Sequence, residues 1–304
     1  MKVTSEKDKK DFYGIIPPII TPLKDDETLD TEGLEKLITF CLDKGVHGVF
    51  TMGTSGEAMC VSRKVWKETI ETTLKTVGNR APVFCGVIDS STVRVIENIK
   101  ELEQAGAKIV VATPAFYLQN ACQAEIIHHF EKICSSTTLK VVAYNIPPTT
   151  HVNILPATIK ALAEIDNLVA YKDSCADWEQ FQRNIFMLED SNISLFNGAE
   201  ELCGTSMLFG AQGCVPGLAN YFPRMFVDMY EAALRNDIQQ VYDLQKKVWD
   251  VRKVLTVGKS WMSAMKYIGS RFGFGSDTAT SPVEPLTAEE KKKIDEIIER
   301  YVEK

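Results

Sequence analysis

A lysine and a tyrosine, each at the end of an apolar segment, have side chains suited to carbonyl chemistry. Lys172 follows the apolar residues 168–171. A lysine amine among apolar side chains has a lowered pKa, and the neutral amine can attack a ketone to form a Schiff base. Tyr144 ends the apolar segment 141–144, and a phenol beside an amine can relay protons. By position alone, Lys172 could instead be a rim lysine paired with Asp173, and Tyr144 a core residue.

Two polar turns follow other apolar segments and could bind an anionic or hydroxylated ligand. The turn GTSGE offers backbone N–H groups and the hydroxyls of Thr54 and Ser55, which suit a carboxylate. Gly198 opens a second turn that carries Glu200 and Glu201, whose oxygens accept hydrogen bonds from substrate hydroxyls. Each turn also has an ordinary structural explanation, because glycines favour tight turns and acids favour the first turn of a helix.

Patterns for metal, phosphate and hydrolase chemistry are weak. The chain has four histidines, His47, His128, His129 and His151, and they form neither an H-x-x-x-H nor an H-E-x-x-H pattern. The phosphate-binding P-loop and the hydrolase motif G-x-S-x-G are also missing from the sequence. A metal-dependent aldolase is therefore disfavoured, and no cofactor is expected.

Short apolar segments alternate with amphipathic stretches along most of the chain. The apolar segments are rich in Val, Ile or Phe, which is typical of strands buried on both faces. The predicted strands are residues 14–21, 46–52, 82–87, 108–113, 139–145, 168–173, 193–197 and 212–215. The predicted helices are residues 31–44, 63–77, 92–104, 121–134, 155–164, 177–188, 200–209 and 222–234, followed by 238–255, 261–268 and 288–302.

Eight strand–helix units predict parallel strands joined by right-handed crossovers. An open doubly wound sheet would carry a glycine-rich fingerprint after its first strand, whereas residues 21–23 (TPL) follow it here. We therefore predict a (β/α)8 TIM barrel for residues 1–235, with its site at the C-terminal ends of the strands. Residues 236–304 are expected to form a helical extension of the same domain.

Composition and charge limit the cell compartment and the kinds of partner. The 304 residues are 45% apolar and 25% charged, with a net charge of −7, so nucleic acid is an unexpected partner. Residues 1–11 are charged and lack the apolar core of a signal peptide. No apolar stretch approaches the roughly 20 residues of a membrane span. We expect a cytoplasmic protein whose eight cysteines are buried and reduced.

Five motifs in order resemble the pyruvate-dependent class I aldolases and dehydratases. That family includes dihydrodipicolinate synthase, N-acetylneuraminate lyase and 2-keto-3-deoxygluconate aldolase. The resemblance runs from about Gly14 to about Tyr301 and includes the spacing of the tyrosine and lysine motifs. The motifs are Thr21-Pro22, Gly53-Thr54-Ser55-Gly56-Glu57, Thr113-Pro114, Tyr144-Asn145-Ile146-Pro147 and Lys172-Asp173-Ser174.

The resemblance implies a role for each matching position. Lys172 would form the Schiff base with pyruvate or another 2-keto acid, and Tyr144 would move protons. Thr54 and Ser55 would bind the keto-acid carboxylate, and Val215 would lie beside the bound keto acid. The resemblance also implies a homotetramer and no cofactor.

The chain departs from the family pattern at three places. Thr149 stands where dihydrodipicolinate synthases have an arginine that binds the second substrate carboxylate. Glu200 and Glu201 replace the acidic pair of members that bind polyols. Phe116 stands where members have a tyrosine donated by a neighbouring subunit, with Tyr117 one step later, so the proton relay between subunits is in question.

These features lead to one main hypothesis and several alternatives. The main hypothesis is a carbon–carbon lyase, or a related dehydratase, that acts on a 2-keto-3-deoxy sugar acid. Within the family, the alternatives are N-acetylneuraminate cleavage and dihydrodipicolinate synthesis. The non-enzymatic alternative is a regulator that binds keto acids on the same barrel. The phenylalanine at position 116 favours this alternative.

Overall fold

Eight parallel strands form one curved sheet in the computed structural model, which describes residues 10–118 and 122–301. The strands are β1 (Gly14–Ile15), β2 (Val49–Thr51), β3 (Val83–Gly86), β4 (Ile109–Ala112), β5 (Lys140–Asn145), β6 (Leu168–Asp173), β7 (Ser194–Asn197) and β8 (Gly213–Cys214). Consecutive strands pair from β2 to β8, and β8 pairs with β1. All seven ladders are parallel, as the alternation of strands and helices predicts.

Backbone hydrogen bonds also join the segment after β1 to β2. The Ile19 amide donates to the Phe50 carbonyl, and the Phe50 amide donates to the Pro17 carbonyl. Pro17 and Pro18 have no N–H to donate, and this explains why the predicted strand 14–21 is regular only over its first two residues. The sheet therefore curves far enough for its first and second strands to meet.

Helices follow the strands and continue after the last one. They are α1 (Thr31–Asp43), α2 (Arg63–Val77), α3 (Thr92–Gln104), α4 (Gln123–Ser135), α5 (Pro147–Thr150), α6 (Pro156–Leu162), α7 (Trp178–Met187), α8 (Cys203–Leu208), α9 (Pro223–Leu234), α10 (Ile238–Val251), α11 (Trp261–Arg271) and α12 (Ala288–Ile298). Short 3-10 helices lie at Glu200–Leu202, Gly217–Asn220 and Arg252–Thr256.

Several helix ends confirm local sequence signals. Gly45, Gly78 and Gly106 follow α1, α2 and α3 with positive φ angles, as expected for glycine at a helix end. Thr287 and Glu290 form the predicted capping box of α12.

Other predicted boundaries were wrong. The predicted helix 200–209 is a 3-10 turn followed by α8, and the predicted helix 238–255 ends as an α-helix at Val251. The short helix α5 was not predicted at all, although its two prolines occupy the first helical turn, where a missing N–H costs nothing. Ala121 and Val302, the predicted first and last residues of two helices, lie outside the described residues, as do residues 1–9 of the charged N-terminal segment, which we expect to be a short leader.

The buried apolar side chains form two clusters separated by the sheet. The inner cluster lies inside the curve of the sheet and the outer cluster lies between the sheet and the helices. Since side chains alternate across a strand, residues two apart share the inner face. The inner cluster comprises Phe12, Ile16, Phe50, Phe84, Ile88, Ile109, Val111, Val142, Tyr144, Ala170, Phe196 and Val215.

The cysteines only partly follow the expected burial. All eight are free thiols, and Cys41, Cys85, Cys134, Cys203 and Cys214 are buried. The expectation was wrong for Cys60 and Cys122, which are exposed, and Cys175 is half-buried. Cys60 and Cys122 lie in connections between elements, where less of the chain is covered by packing.

No helix within residues 10–118 and 122–301 is long and apolar enough to cross a membrane.

Candidate active site

Lys172 and Tyr144 lie side by side at the C-terminal ends of neighbouring strands. β5 and β6 pair in register, with Tyr144 opposite Lys172. Both residues follow the inward-facing alternation of their strands, and the Lys172 Nζ lies 3.9 Å from the centre of the Tyr144 ring. The prediction that these two side chains meet is therefore confirmed by the geometry of one ladder.

Aromatic rings surround the Lys172 amine and exclude water from it. The side chain is only 5% exposed, and its Nζ also lies 4.9 Å from the centre of the Phe50 ring. Burial lowers the pKa of Lys172, and the nearby Tyr144 hydroxyl offsets only part of that effect. A neutral amine is the nucleophile that Schiff-base formation needs.

Asp173 does not pair with Lys172, contrary to the structural alternative considered from sequence. Its carboxylate lies on the opposite face of β6, where it accepts hydrogen bonds from the Asn145 amide nitrogen at 3.0 Å and the Cys175 backbone N–H at 2.9 Å. The Tyr171 hydroxyl and the Gln180 amide nitrogen donate to its second oxygen. Burial raises the pKa of Asp173. These neutral donors hold the strand end while leaving the lysine without an acidic partner.

The GTSGE turn reaches the same cluster through Thr54. The Thr54 hydroxyl lies 3.5 Å from the Tyr144 hydroxyl, at the outer limit of hydrogen bonding. Ser55 is half-buried beside it. The turn is held by backbone hydrogen bonds from Gly56 and Ala58 to the Gly53 carbonyl. The Thr54 hydroxyl, one of the two predicted to bind a carboxylate, thus lies beside the Tyr144 hydroxyl.

Gly198 leaves room for the Lys172 side chain. A Cβ atom at position 198 would lie 3.0 Å from Lys172 Cε and 2.0 Å from Ser174 Oγ. The Gly198 amide donates to the Asp173 carbonyl at 2.7 Å, so the backbone cannot easily move away. Gly198 therefore acts by close packing against the lysine, a role that its position in a turn did not reveal.

Glu200 and Glu201 are held by an arginine from the C-terminal extension. The Arg252 Nε lies 3.1 Å from a Glu201 oxygen and 3.7 Å from the Glu200 Oε2. The other Glu200 oxygen, Oε1, accepts a hydrogen bond from the Leu218 amide at 2.7 Å. Burial raises the pKa of Glu200 to about 7, whereas Glu201 is partly exposed.

Glu200 and Ser55 both lie close to Gly217. A Cβ atom built on Gly217 would lie 3.4 Å from Glu200 Oε1 and 4.0 Å from Ser55 Oγ, so these two side chains flank the same small volume. Val215 is buried in the inner cluster with Tyr144, as its expected place beside a bound keto acid requires.

Tyr117 does not reach the cluster within this chain. Its side chain is 92% exposed and its backbone has a positive φ of 77°, whereas Phe116 packs partly against the inner cluster. Thr149 is exposed in α5. The loop turns the Tyr117 ring outwards at that residue, so a role of Tyr117 in substrate binding stays a prediction.

Two contributors to the site were missed at the level of sequence. The sequence pattern places Phe50 in a predicted strand and Arg252 in a predicted helix, and neither residue stands out as part of a site. The alternation of β2 could have placed Phe50 on the inner face, but no local signal links Arg252 to glutamates some fifty positions earlier. Within the described part of the chain, no group of three His, Cys, Asp or Glu side chains is arranged to hold a metal ion.

Comparisons with known proteins agree over nearly the whole chain. A family model described as the dihydrodipicolinate synthetase family matches residues 11–301. The 4-hydroxy-tetrahydrodipicolinate synthase of Methanocaldococcus jannaschii is 32% identical over 247 residues, or 81% of this chain and 84% of the relative.

Solved structures of dihydrodipicolinate synthases are also similar to this chain over nearly its whole length. The dihydrodipicolinate synthase of Bacteroides thetaiotaomicron superposes with a TM-score of 0.91 at 35% identity, covering 96% of this chain and 99% of that one. The chloride-inhibited dihydrodipicolinate synthase of Acinetobacter baumannii, complexed with pyruvate, superposes with a TM-score of 0.89 at 25% identity, covering 94% and 98%.

Proposed function

Because the chain belongs to the dihydrodipicolinate synthetase family, we propose that it is a pyruvate-dependent class I aldolase. Its Schiff base would form on Lys172, and its eight strands would close a complete (β/α)8 barrel. One observation carries the assignment of the lysine. Its amine is buried among rings, has a lowered pKa and lies 3.9 Å from the centre of the Tyr144 ring, with no acidic partner among the described residues.

The proposed reaction begins with attack of the neutral Lys172 amine on the C2 carbonyl of a 2-keto acid. Tyr144 donates its proton to the departing hydroxyl, so loss of one water molecule gives a protonated imine and leaves Tyr144 as a phenolate. In the cleavage direction, Tyr144 accepts the proton of the C4 hydroxyl, the C3–C4 bond breaks, and its electron pair moves into the imine to form an enamine. An aldehyde leaves, the enamine takes a proton back at C3, and one water molecule hydrolyses the imine to release pyruvate.

Two groups of residues would orient the keto acid for this reaction. Thr54 and Ser55 would bind its carboxylate with their hydroxyls, and the 3.5 Å between the Thr54 and Tyr144 hydroxyls supports a shared chain of proton donors. Val215 and Phe50 would cover the apolar C3 side, since both belong to the inner cluster beside Tyr144.

We propose a 2-keto-3-deoxy sugar acid as the preferred substrate. Glu200 lies close to Ser55, and its Oε2 accepts no hydrogen bond from the described residues, so this oxygen could accept one from a hydroxyl of a sugar chain. At position 149, an exposed threonine cannot bind a second carboxylate as an arginine would. A substrate with hydroxyls at its far end fits these groups better than a dicarboxylate does.

The second candidate is 4-hydroxy-tetrahydrodipicolinate synthesis from pyruvate and aspartate semialdehyde. The names of the relatives favour it, including that of the Methanocaldococcus jannaschii protein at 32% identity. In this direction the enamine from pyruvate would attack an aldehyde instead of releasing one. Position 149 offers no guanidinium to the second carboxylate, and Glu200 and Glu201 already engage that of Arg252.

Two measurements test these proposals. Borohydride reduction with pyruvate should leave a stable adduct on Lys172, found by peptide mass mapping. An adduct on another lysine would overturn the assignment. A panel of aldehydes with pyruvate, and of keto-deoxy sugar acids alone, should then show faster turnover of the sugar acids. Faster turnover with aspartate semialdehyde would favour the second candidate.

We also propose that the protein assembles as a homotetramer, as the resemblance implies. Tyr117 and Leu118 are 92% and 79% exposed at adjacent positions, and large apolar side chains together on a surface often mark an interface. Light scattering on the purified protein tests this, and a monomeric mass at micromolar concentration would contradict it.

A further inference from the structure

A cavity lies among the outer helices, away from the candidate active site. It is half open to solvent, has a volume of about 550 Å³, and lies between α1, the start of α9, α10 and the C-terminal ends of α11 and α12. This volume is within the range of small-molecule binding sites, roughly 300–1,000 Å³. None of the site residues Lys172, Tyr144, Thr54 or Glu200 lines it.

Aromatic rings form one wall of the cavity. The Phe272 ring centre lies 5.6 Å from that of Tyr221, 5.8 Å from that of Phe222 and 6.1 Å from that of Phe40. All four rings line the cavity, and Phe40 and Phe272 are only partly buried. Such a wall favours a flat ring, which can contact the faces and edges of these side chains.

Four cationic side chains also line the cavity, although the whole protein is acidic. Lys44, Arg224, Lys247 and Arg300 line the cavity with one acid, Asp228, in a chain whose net charge is −7. Arg224 pairs with Asp228, and Arg300 pairs with an aspartate outside the lining. The local excess of positive charge would attract an anion.

Lys247 is the lining cation most available to a ligand. It is exposed on α10, and it forms no ion pair or hydrogen bond with the described residues. Its neighbour Lys246 has the same charge and lies on the same helix, but does not line the cavity. This pair allows the effect of the cavity to be separated from that of overall charge.

We propose that this cavity is a second binding site, for a planar aromatic anion. The ring lies against Phe272 and Phe40, and the carboxylate or phosphate group contacts Lys247 and Arg224. Arginine and lysine bind both kinds of group, so the shared chemistry is a flat ring with a negative substituent.

Calorimetric titration of the whole protein with three naphthalene probes tests the proposal. We expect 2-naphthoate and 2-naphthyl phosphate to bind, and neutral 2-naphthamide to bind at least about fivefold more weakly. Equal binding of all three probes, or no binding of the anions at millimolar concentration, would overturn it. The stronger of the two anions identifies the preferred charged group.

Matched variants locate the binding. K247E should weaken both anions about fivefold to tenfold, whereas K246E should change them less than twofold. F40L, which keeps an apolar side chain but removes a flat face, should weaken the anions and the amide alike. Saturating pyruvate and the K172A variant should leave binding unchanged. Competition by pyruvate, or equal effects of K246E and K247E, would contradict the proposed site whatever the outcome for the Schiff base.

Discussion

Two regions of the molecule each bury one lysine and one glutamate, but arrange them differently. In the candidate active site, Lys172 lies among aromatic rings and Glu200 lies on another loop beside Arg252. Between the GTSGE turn and α11, Lys266 Nζ lies 2.6 Å from Glu57 Oε1, and both side chains are buried. Within the described residues, these are the only lysines and glutamates that are buried.

The second region satisfies its charges by direct contact. Lys266 also donates to the Thr21 carbonyl, and Glu57 Oε2 accepts hydrogen bonds from the Thr280 amide at 2.8 Å and its hydroxyl at 2.7 Å. Burial lowers the pKa of Lys266, while Glu57 opposes that effect. This pair joins the C-terminal extension to the turn that carries Thr54 and Ser55.

The difference teaches that burial alone does not make a lysine reactive. Both lysines lose water, but Lys266 keeps its charge stabilised by a carboxylate and a carbonyl, whereas Lys172 has rings around its amine. Burial lowers the pKa of both lysines, but a carboxylate opposes that effect at Lys266 and only the Tyr144 hydroxyl opposes it at Lys172. The paired lysine therefore supports structure, and the unpaired one is suited to nucleophilic attack.

The largest expected effect separates the two lysines by activity. Lys172→Ala should lower kcat by more than about 10⁴-fold, because no other amine replaces the Schiff-base nucleophile. Its free energy of unfolding should fall by less than about 1 kcal/mol, since a buried amine without a partner is itself costly. Steady-state kinetics and urea unfolding measure the two quantities. A kcat of Lys172→Ala near the wild-type value would contradict the role of Lys172 as the nucleophile.

The next effect concerns Lys266, whose replacement should lower stability, whereas replacement of Lys172 should mainly lower activity. Lys266→Met should lower the free energy of unfolding by about 3–5 kcal/mol, because it leaves the Glu57 carboxylate buried without its cation. The double variant Glu57→Gln with Lys266→Met should recover part of that loss. Urea unfolding, followed by circular dichroism, checks both variants. A loss below about 1 kcal/mol in the single variant would show that water compensates the carboxylate.

A smaller effect tests the packing that holds Lys172. Gly198→Ala should lower kcat about 10²-fold, because its Cβ would lie 2.0 Å from Ser174 Oγ and 3.0 Å from Lys172 Cε, and the shift that this forces would displace the amine. Gly217→Ala is a matched control near the same site, where the nearest atom is Glu200 Oε1 at 3.4 Å. Kinetics of both variants with one substrate check the prediction. Equal losses would indicate a general sensitivity of the loops instead.

The last effect concerns the pH dependence that Glu200 gives to stability. Its pKa of about 7 in the folded protein lies above the ordinary value of 4.5, so the folded state holds a proton that the unfolded state releases between these values. Wild-type stability should therefore fall relative to Glu200→Gln as pH rises from about 4.5 to 7, by up to about 3 kcal/mol, and level off above.

Glu201→Gln provides the control for that measurement. Glu201 contacts the same arginine but is partly exposed, so its removal should leave the slope of stability against pH close to that of the wild type between pH 5 and 8. Urea unfolding at four pH values compares the three proteins. A difference between wild type and Glu200→Gln that does not change with pH would mean that Glu200 is ionised throughout.

Much of the architecture was predictable because its signals are local. The strand β6 and the helices α2 and α3 have the predicted bounds, since apolar runs and end signals lie within a few positions of one another. The ladder that places Tyr144 opposite Lys172 follows from consecutive parallel strands. Strand lengths near the prolines and the 3-10 turns were not predictable, because they depend on hydrogen bonds between distant segments.

The sequence by itself determined the order of the elements, the family motifs and the presence of a lysine at a strand end. Only the tertiary structure decided which buried lysine has a carboxylate partner. Lys266 and Glu57 lie far apart along the chain, and Asp173, next to Lys172 in sequence, faces away from it. The physical reason is that a pKa depends on excluded water and on the distance to opposite charges, and long-range packing sets both.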